Sequence, residues 1–311
     1  MEYFLVTLTA VGTMLLYAVP GYAAVKCKAV KEENISSFAF ILMYVCAPCL
    51  SVYAFDHADY SKKLFLTSLA FFGLAFVVQA VVMLGAYFVL RKKYDDVKYR
   101  VATVATISGN CSFMGIPVLE AMFPGNTDLA MLSMMFMVGM NILGWTVSSA
   151  IITQNKKYIS LKKAIINPSV LGIIVALPLF LTGTKLPAFL QVPIETLGKM
   201  STPMCMIIMG MRLATVKMKS LFGSPLQYLT CAFKQLIFPL FGLVAVWFLP
   251  FDLYVKQTMF VICCTPVASV VLNFAELLGE GQETAANLVL LSTVFSVATI
   301  PVMTILLSAI S

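Results

Sequence analysis

The sequence predicts an all-α polytopic membrane protein with ten transmembrane helices, on the basis of its composition, its long uncharged runs and its clustered charges. Of the 311 residues, 60% are hydrophobic and 11% are charged, and the mean hydropathy is +0.94. An average soluble protein is about 45–50% apolar and about 25% charged, so the surplus apolar side chains require lipid around them. Ten spans of about 20 residues use most of the chain, which leaves no room for a soluble catalytic domain.

Apolar runs between charged breaks place the individual spans. They lie at 3–23, 35–55, 64–90, 101–123, 129–153, 164–181, 196–213, 226–249, 255–278 and 284–308. The sixth and seventh spans are the shortest. The segment between them, 185–195, contains Pro187 and Pro193 and is expected to form an interfacial connection.

Basic residues are concentrated in alternate loops. Fifteen of the 21 Lys and Arg residues fall in four loops, at 26–31, 91–100, 156–163 and 212–219. Cytoplasmic loops carry an excess of Lys and Arg, so this bias predicts a plasma (inner) membrane protein with both termini outside the cytoplasm. The net charge of +7 then reflects membrane orientation, and a nucleic-acid partner is not expected.

The two halves of the chain, 1–153 and 154–311, match weakly at an offset of 155 to 156 residues. The matching pairs are Pro48 with Pro203, Gln79 with Lys234, Glu120 with Glu276, and Gly125-Asn126 with Gly281-Gln282. Because each half holds five spans, an odd number, the second half must be inverted relative to the first. Such 5+5 inverted repeats are typical of secondary transporters, which bind substrate near the midplane at the repeat interface.

The fourth and ninth spans are predicted to break in their centres. Gly109, Gly115 and Pro117 crowd the fourth span, and Thr265-Pro266 interrupts the ninth. Proline removes a backbone donor and clashes with the preceding turn, and irregular backbone in a membrane is tolerated only beside protein or a wet cavity. Paired broken helices therefore indicate a binding site, and their half-helix N-termini favour an anionic ligand.

The candidate substrate-binding residues are Asn110, Cys111, Ser112, Gly115, Pro117, Asn141, Thr265, Pro266, Ser269, Asn273, Gln79 and Lys234. Lys234 lies inside the eighth span, where a charge is costly and usually marks a pathway. It either attracts a substrate carboxylate, occupies a coupling-cation position or pairs structurally. Glu120 and Glu276 are candidates for a gate or for proton coupling, with solvated helix ends as the alternative. The neutral side chains could instead make interhelical hydrogen bonds.

Several of these motifs resemble the auxin efflux carrier family, over essentially the whole chain. They are Asn110-Cys-Ser-Phe-Met-Gly115-Ile-Pro117, Asn167-Pro168, Thr265-Pro266 and Ser292-Thr293 with Pro301. The resemblance implies a 5+5 inverted-repeat fold, shared with bile-acid:sodium symporters, in which helices 4 and 9 cross at unwound centres. It also implies a scaffold of helices 1, 2, 6 and 7, often homodimeric, and a mobile transport domain of helices 3–5 and 8–10 that moves as an elevator.

The chain has only a short central loop, 154–163, and in this it is similar to the compact prokaryotic members of that family, which are associated with malate, malonate and other small carboxylates. The leading hypothesis is a secondary transporter for small organic anions, including auxin-like acids. Coupling to H⁺ or Na⁺ stays open, and no cofactor is expected. A sodium-coupled symporter of the bile-acid type is the alternative, followed by a channel or receptor.

An enzyme is not expected. An intramembrane enzyme needs a nucleophile and base, paired aspartates or a metal cluster at membrane depth. The predicted spans contain no Asp within the apolar stretches and no HExxH motif, and the one His, His57, follows the second span. No resident metal site is predicted either.

Overall fold

The computed structural model describes residues 2–310, and within them the backbone is helical without any β-strand. Met1 and Ser311, whose placement outside the cytoplasm the sequence predicts, lie outside the described residues. In chain order the helices are α1 (Tyr3–Lys26), α2 (Glu32–His57), α3 (Lys62–Lys93), α4 (Val97–Ala105), α5 (Cys111–Met122), α6 (Asp128–Thr153), α7 (Pro168–Thr182), α8 (Ala188–Lys199), α9 (Ser201–Thr215), α10 (Pro225–Trp247), α11 (Leu253–Cys264), α12 (Val270–Leu278) and α13 (Gln282–Ile310).

Seven helical stretches among the described residues are long and apolar enough to cross a membrane. They are α1, α2, α3, α6, the stretch Lys156–Thr182 that ends with α7, α10 and α13. Helices α5 and α11 are apolar but shorter. The predicted all-helical membrane class is thus confirmed, while the arrangement of ten spans as two inverted repeats of five stays a prediction.

Side-chain caps begin several of these helices. Ser61 accepts a hydrogen bond from the backbone N–H of Leu64 at the start of α3, and Asn167 accepts one from Ser169 at the start of α7. Pro168 follows Asn167 at the first helical position, where its missing N–H costs nothing. These caps satisfy donors that the first helical turn leaves free, so they fix where α3 and α7 begin.

Widened π-helical turns precede three of the membrane prolines. The turns are Leu42–Cys46, Cys111–Gly115 and Phe233–Ile237, and each ends two residues before a proline. A proline cannot donate to the preceding turn and its ring crowds that turn, which accounts for the local widening. Because π turns re-aim side chains within a helix, the two that contain Cys111 and Lys234 bear on the candidate site.

Two close helix pairs rely on glycine. The second half of α1 packs against α9, where a β-carbon on Gly21 would meet the carbonyl oxygen of Ile207 and one on Gly210 would meet that of Ala18. The second half of α2 packs against α7, where a β-carbon on Gly172 would lie 2.6 Å from the carbonyl oxygen of Pro48. Small residues permit this close approach of membrane helices.

One expectation is corrected. The segment 185–195 does not form an irregular connection, because α8 begins at Ala188 and continues to Lys199, one residue before α9. Pro187 lies just before the helix, where a fixed φ is compatible with its start. Pro193 lies inside α8, and only its own missing donor and the turn before it are affected.

Candidate functional site

Both predicted breaks are present, and they lie against one another. Residues 106–110 separate α4 from α5, and residues 265–269 separate α11 from α12. The Asn110 N–H donates to the Pro266 carbonyl at 2.8 Å, and the Ala268 N–H donates to the Ser108 carbonyl at 3.0 Å. This short antiparallel bridge, called the crossing below, gives partners to backbone groups that the broken helices would leave unpaired in a membrane.

Glycine at position 109 makes the crossing tight. A β-carbon there would lie 2.8 Å from Thr265 Oγ1 and 3.2 Å from Lys234 Nζ. The other interrupted strand is held from the side, because the Ser292 hydroxyl accepts the Val267 N–H at 3.0 Å. The chain at the crossing is therefore fixed by backbone pairing and by side chains from α10 and α13.

Lys234 is fully buried behind the crossing. Its Nζ donates to the carbonyl oxygens of Cys263 and Thr265, both at 2.8 Å, and lies 4.8 Å from the ring centroid of Phe238. These carbonyls are at the C-terminal end of α11, where the helix dipole favours a cation. The ammonium group thus stabilises the end of a half-helix.

A cavity of about 100 Å³ adjoins the crossing on the other side from Lys234. It is called the crossing cavity. Six of the predicted site residues line it, namely Asn110, Cys111, Ser112, Asn141, Ser269 and Asn273. Its opposite wall comes from α2, α7 and α9, including Met43, Asn167, Ser169, Cys205 and Arg212.

The three predicted asparagines of the cavity wall donate to sulfur atoms. Asn110 Nδ2 lies 4.0 Å from Cys205 Sγ, Asn141 Nδ2 lies 2.7 Å from Met137 Sδ, and Asn273 Nδ2 lies 3.0 Å from Met43 Sδ. Sulfur is a weak acceptor. An oxygen acceptor entering the cavity would make stronger hydrogen bonds with these amides than the sulfur atoms do.

Positive potential converges on the crossing cavity. The N-termini of α5, α7 and α12 contribute Cys111, Ser169 and Val270 to its wall, and helix N-termini attract anions through their free N–H groups and the helix dipole. Arg212 is the one charged residue among the described residues that line the cavity. The site therefore has the chemistry of a small anion site.

The remaining predicted residues lie outside this wall. Thr265 and Pro266 form the crossing, and Gly115 lies in the widened turn of α5, 3.5 Å by its β-carbon position from the Thr265 methyl group. Gln79 is buried between α3 and α6, where its Nε2 donates to the Phe136 carbonyl at 3.2 Å. The structure brings Gln79 and Lys234 into separate helix contacts rather than into one pocket.

A second cavity, of about 420 Å³, contains Pro117 and Glu120 and is called the Glu120 cavity. Glu120 Oε1 accepts from the Tyr53 hydroxyl at 3.4 Å, and Lys199 also lines this cavity. Lys199 Nζ itself pairs with Glu195 Oε1 at 2.6 Å. Ser112 is the one described residue that lines both cavities.

The buried glutamines reveal the internal symmetry more clearly than the sequence matches did. Gln235 Nε2 donates to the Ser292 carbonyl at 2.8 Å, which repeats the contact of Gln79 with Phe136 at an offset of 156 residues for both partners. The sequence match of Gln79 with Lys234 is one residue out of this register. Asn110 and Pro266, which meet at the crossing, are also 156 residues apart.

Arg212 was missed as a site residue. The sequence analysis counted it among the loop charges, although it falls inside the predicted seventh span, 196–213. A charge within a span boundary was the available signal. The wall that Met43, Cys205 and Arg212 provide depends on packing between α2, α7 and α9, which no local pattern shows.

The comparison with protein families adds an independent observation. A family model described as membrane transport protein, of the auxin efflux carrier type, matches residues 6–304. No individual curated protein matches the chain. The match covers nearly the whole chain and includes both broken helices, the crossing and the two cavities. This helical, multi-pass membrane protein therefore belongs to the membrane transport protein family.

Proposed function

We propose that the protein is a secondary transporter for small organic anions, such as malate, malonate or auxin-like acids, and that it binds them in the crossing cavity. The observation that carries this proposal is the convergence of three helix N-termini and Arg212 on one cavity beside paired broken helices. Fixed dipoles and a guanidinium group suit a carboxylate. The amides of Asn110, Asn141 and Asn273 would bind its oxygens in place of sulfur.

The size of the cavity favours small acids over the bile-acid alternative. Its volume of about 100 Å³ is below the roughly 300–1,000 Å³ of sites for drug-sized ligands. A carboxylate of a few carbon atoms fits such a space without rearrangement of α2 or α12. A steroid acid would require the cavity to open widely.

The location of the two cavities supports an alternating-access mechanism. The crossing cavity extends toward Arg212 and the start of α7, on the side of the basic loops, whereas the Glu120 cavity lies toward the other side. In the proposed orientation the protein is therefore open to the cytoplasm. The hydrogen bond from Thr202 Oγ1 to the Phe113 carbonyl, 2.7 Å long, closes the path between the cavities.

An elevator motion would carry the crossing past a fixed wall. The wall from α2, α7 and α9 corresponds to the scaffold of helices 1, 2, 6 and 7, which we propose to be homodimeric. The crossing, α6 and α12 belong to the proposed transport domain of helices 3–5 and 8–10. Glu120 and Glu276 remain the candidates for a gate or a proton site, and Lys234 supplies a fixed cation where a coupling cation would otherwise bind.

The test is uptake of radiolabelled malate and malonate by proteoliposomes. Asn110→Ala is expected to reduce uptake at least about tenfold, because a hydrogen bond to a charged group contributes about 1.5–3 kcal/mol. Asn34→Ala is the matched control, since Asn34 is exposed and its side chain caps no helix. Unchanged uptake by Asn110→Ala would remove the crossing cavity from the mechanism.

The same assay separates the alternatives. Uptake of taurocholate that requires Na⁺ would favour a bile-acid-type symporter. Conductance far above carrier turnover in planar bilayers would indicate a channel. Failure of all carboxylates to enter would contradict the organic-anion assignment.

A further inference from the structure

An ion pair stands at the mouth of the crossing cavity. Arg212 on α9 and Glu276 on α12 contact each other through Nη1 and Oε1 at 2.9 Å. Arg212 also lines the cavity, whereas Glu276 lies one helical turn beyond Asn273, which does. The pair therefore joins the two walls of the cavity across its opening.

The guanidinium group is the one mobile positive charge that an anion in this cavity can reach. Lys234 is fully buried and its Nζ is held by two backbone carbonyls. Lys234 is also absent from the cavity wall, while Arg212 belongs to it. Arginine offers five donors in a planar fork that suits carboxylates, and Glu276 supplies such a carboxylate in the empty protein.

We infer that Arg212 binds the carboxylate of the substrate and that Glu276 is its competitor, displaced when substrate arrives. This inference rests on the proposed function and names the residues that implement it. Displacement of Glu276 would break the contact between α9 and α12, so occupation of the site would loosen one wall from the other at the mouth. The empty protein would keep its charged groups paired and its mouth latched.

The repeat supports this reading. Glu120 is 156 residues before Glu276, on the other half-helix, α5, and it lines the second cavity together with Lys199 of α8. An acid on a half-helix thus faces a basic residue of α8 or α9 at each cavity. In the structure only the Arg212–Glu276 pair is formed, because Lys199 is paired with Glu195.

The test compares the dissociation constant for malonate in Arg212→Gln and Glu276→Gln, using purified protein and calorimetry. Arg212→Gln is expected to weaken binding at least about tenfold because it removes charge-assisted hydrogen bonds. Glu276→Gln is expected to tighten binding several-fold because the competing carboxylate is gone. Opposite signs are the signature of competition, which a purely structural ion pair would not produce.

Controls keep the outcomes distinct. Arg91→Gln changes an exposed loop charge and is expected to leave the dissociation constant unchanged, and malonamide, which has no charge, is expected to be insensitive to both variants. Arg212→Lys keeps a positive charge and is expected to bind malonate more tightly than Arg212→Gln if the latter folds poorly. Weakening by both Arg212→Gln and Glu276→Gln, or no change in either, overturns the inference. Absence of malate and malonate binding to the wild-type protein contradicts the proposed function instead.

Discussion

Lys234 shows how a buried charge can be structural and still belong to the site. Its ammonium group replaces the next helical turn for the carbonyls of Cys263 and Thr265. The widened turn Phe233–Ile237 directs the side chain toward them. The sequence predicted that Lys234 lies within a span, but not which atoms it contacts, because those atoms come from a different helix.

Replacing Lys234 by methionine is expected to destabilise the protein. Two buried carbonyls would lose their donor, and hydrogen bonds to a charged group contribute about 1.5–3 kcal/mol each. The measurement is thermal unfolding of the purified protein in detergent. Lys219→Met, which removes an exposed charge, is the matched control, and equal unfolding temperatures for the two variants would contradict a supporting role for Lys234.

At the same scale, the prediction of site residues succeeded where the backbone itself is unusual. Asn110 and Ser269 flank the two interruptions, and the run of Gly and Pro marked them. Arg212 and Met43 were not found, because they lie on regular helices whose faces are assigned only by packing. A local pattern identifies an irregular backbone more readily than it identifies the wall opposite to it.

The helix pair α1 and α9 depends on the absence of side chains at its closest approach. Gly21 and Gly210 are buried and face backbone carbonyls of the partner helix. Backbone cannot yield as a flexible side chain does, so any larger residue must separate the helices. This contact belongs to the proposed scaffold, against which the crossing would move.

Gly210→Leu is accordingly expected to reduce the amount of folded protein and to lower its unfolding temperature. Overpacking of a well-packed interior costs about 1–3 kcal/mol and more where backbone must shift. Gly12→Ala on α1 is the control, because a β-carbon at Gly12 meets no atom within 4 Å. Size-exclusion chromatography and thermal unfolding report the result, and wild-type behaviour of Gly210→Leu would show that α1 and α9 are not this close.

Element boundaries followed the sequence where caps and prolines act locally. Asn167-Pro168 predicts the start of α7, and Pro117 and Pro266 predict the interrupted helices. The segment 185–195 was interpreted wrongly, because prolines at 187 and 193 suggested a loop while α8 accommodates Pro193 inside it. Tertiary contact of α8 with α2, where Gly198 lies against the backbone of Leu50 at 3.0 Å from its β-carbon position, outweighs that local preference.

At the scale of the whole molecule, the orientation in the membrane follows from charge asymmetry alone. Cys27 provides a native probe of it, because it is the exposed cysteine among eight and lies in a loop with Lys26, Lys28 and Lys31. The positive-inside rule places this loop in the cytoplasm. The structure contains no membrane and leaves this orientation as a prediction.

A membrane-impermeant maleimide is therefore expected to label Cys27 in permeabilised cells and not in intact cells. Mass spectrometry of the purified protein identifies the modified residue. Cys27→Ser removes the site and controls for reaction at Cys49, which is partly buried. Equal labelling of intact and permeabilised cells would reverse the orientation, and with it the side to which the crossing cavity opens.

The family and the helical class were predictable because composition and short motifs are distributed over the whole chain. The internal symmetry was predictable only approximately, since few identities survive between the halves. The contacts of Gln79 and Gln235 give the 156-residue register that the sequence left between two values. Their side-chain oxygens are buried without a described partner, which is a shared constraint that sequence similarity does not display.

Ser112 has a consequence for the insulation of the membrane. It borders both cavities, so the layer that keeps the two compartments apart is about one side chain thick, reinforced by the Thr202 contact to Phe113. A thin seal needs only a short displacement to change the side from which a solute enters. It also makes this position the place where the smallest loss of volume would let water and ions leak through the resting protein.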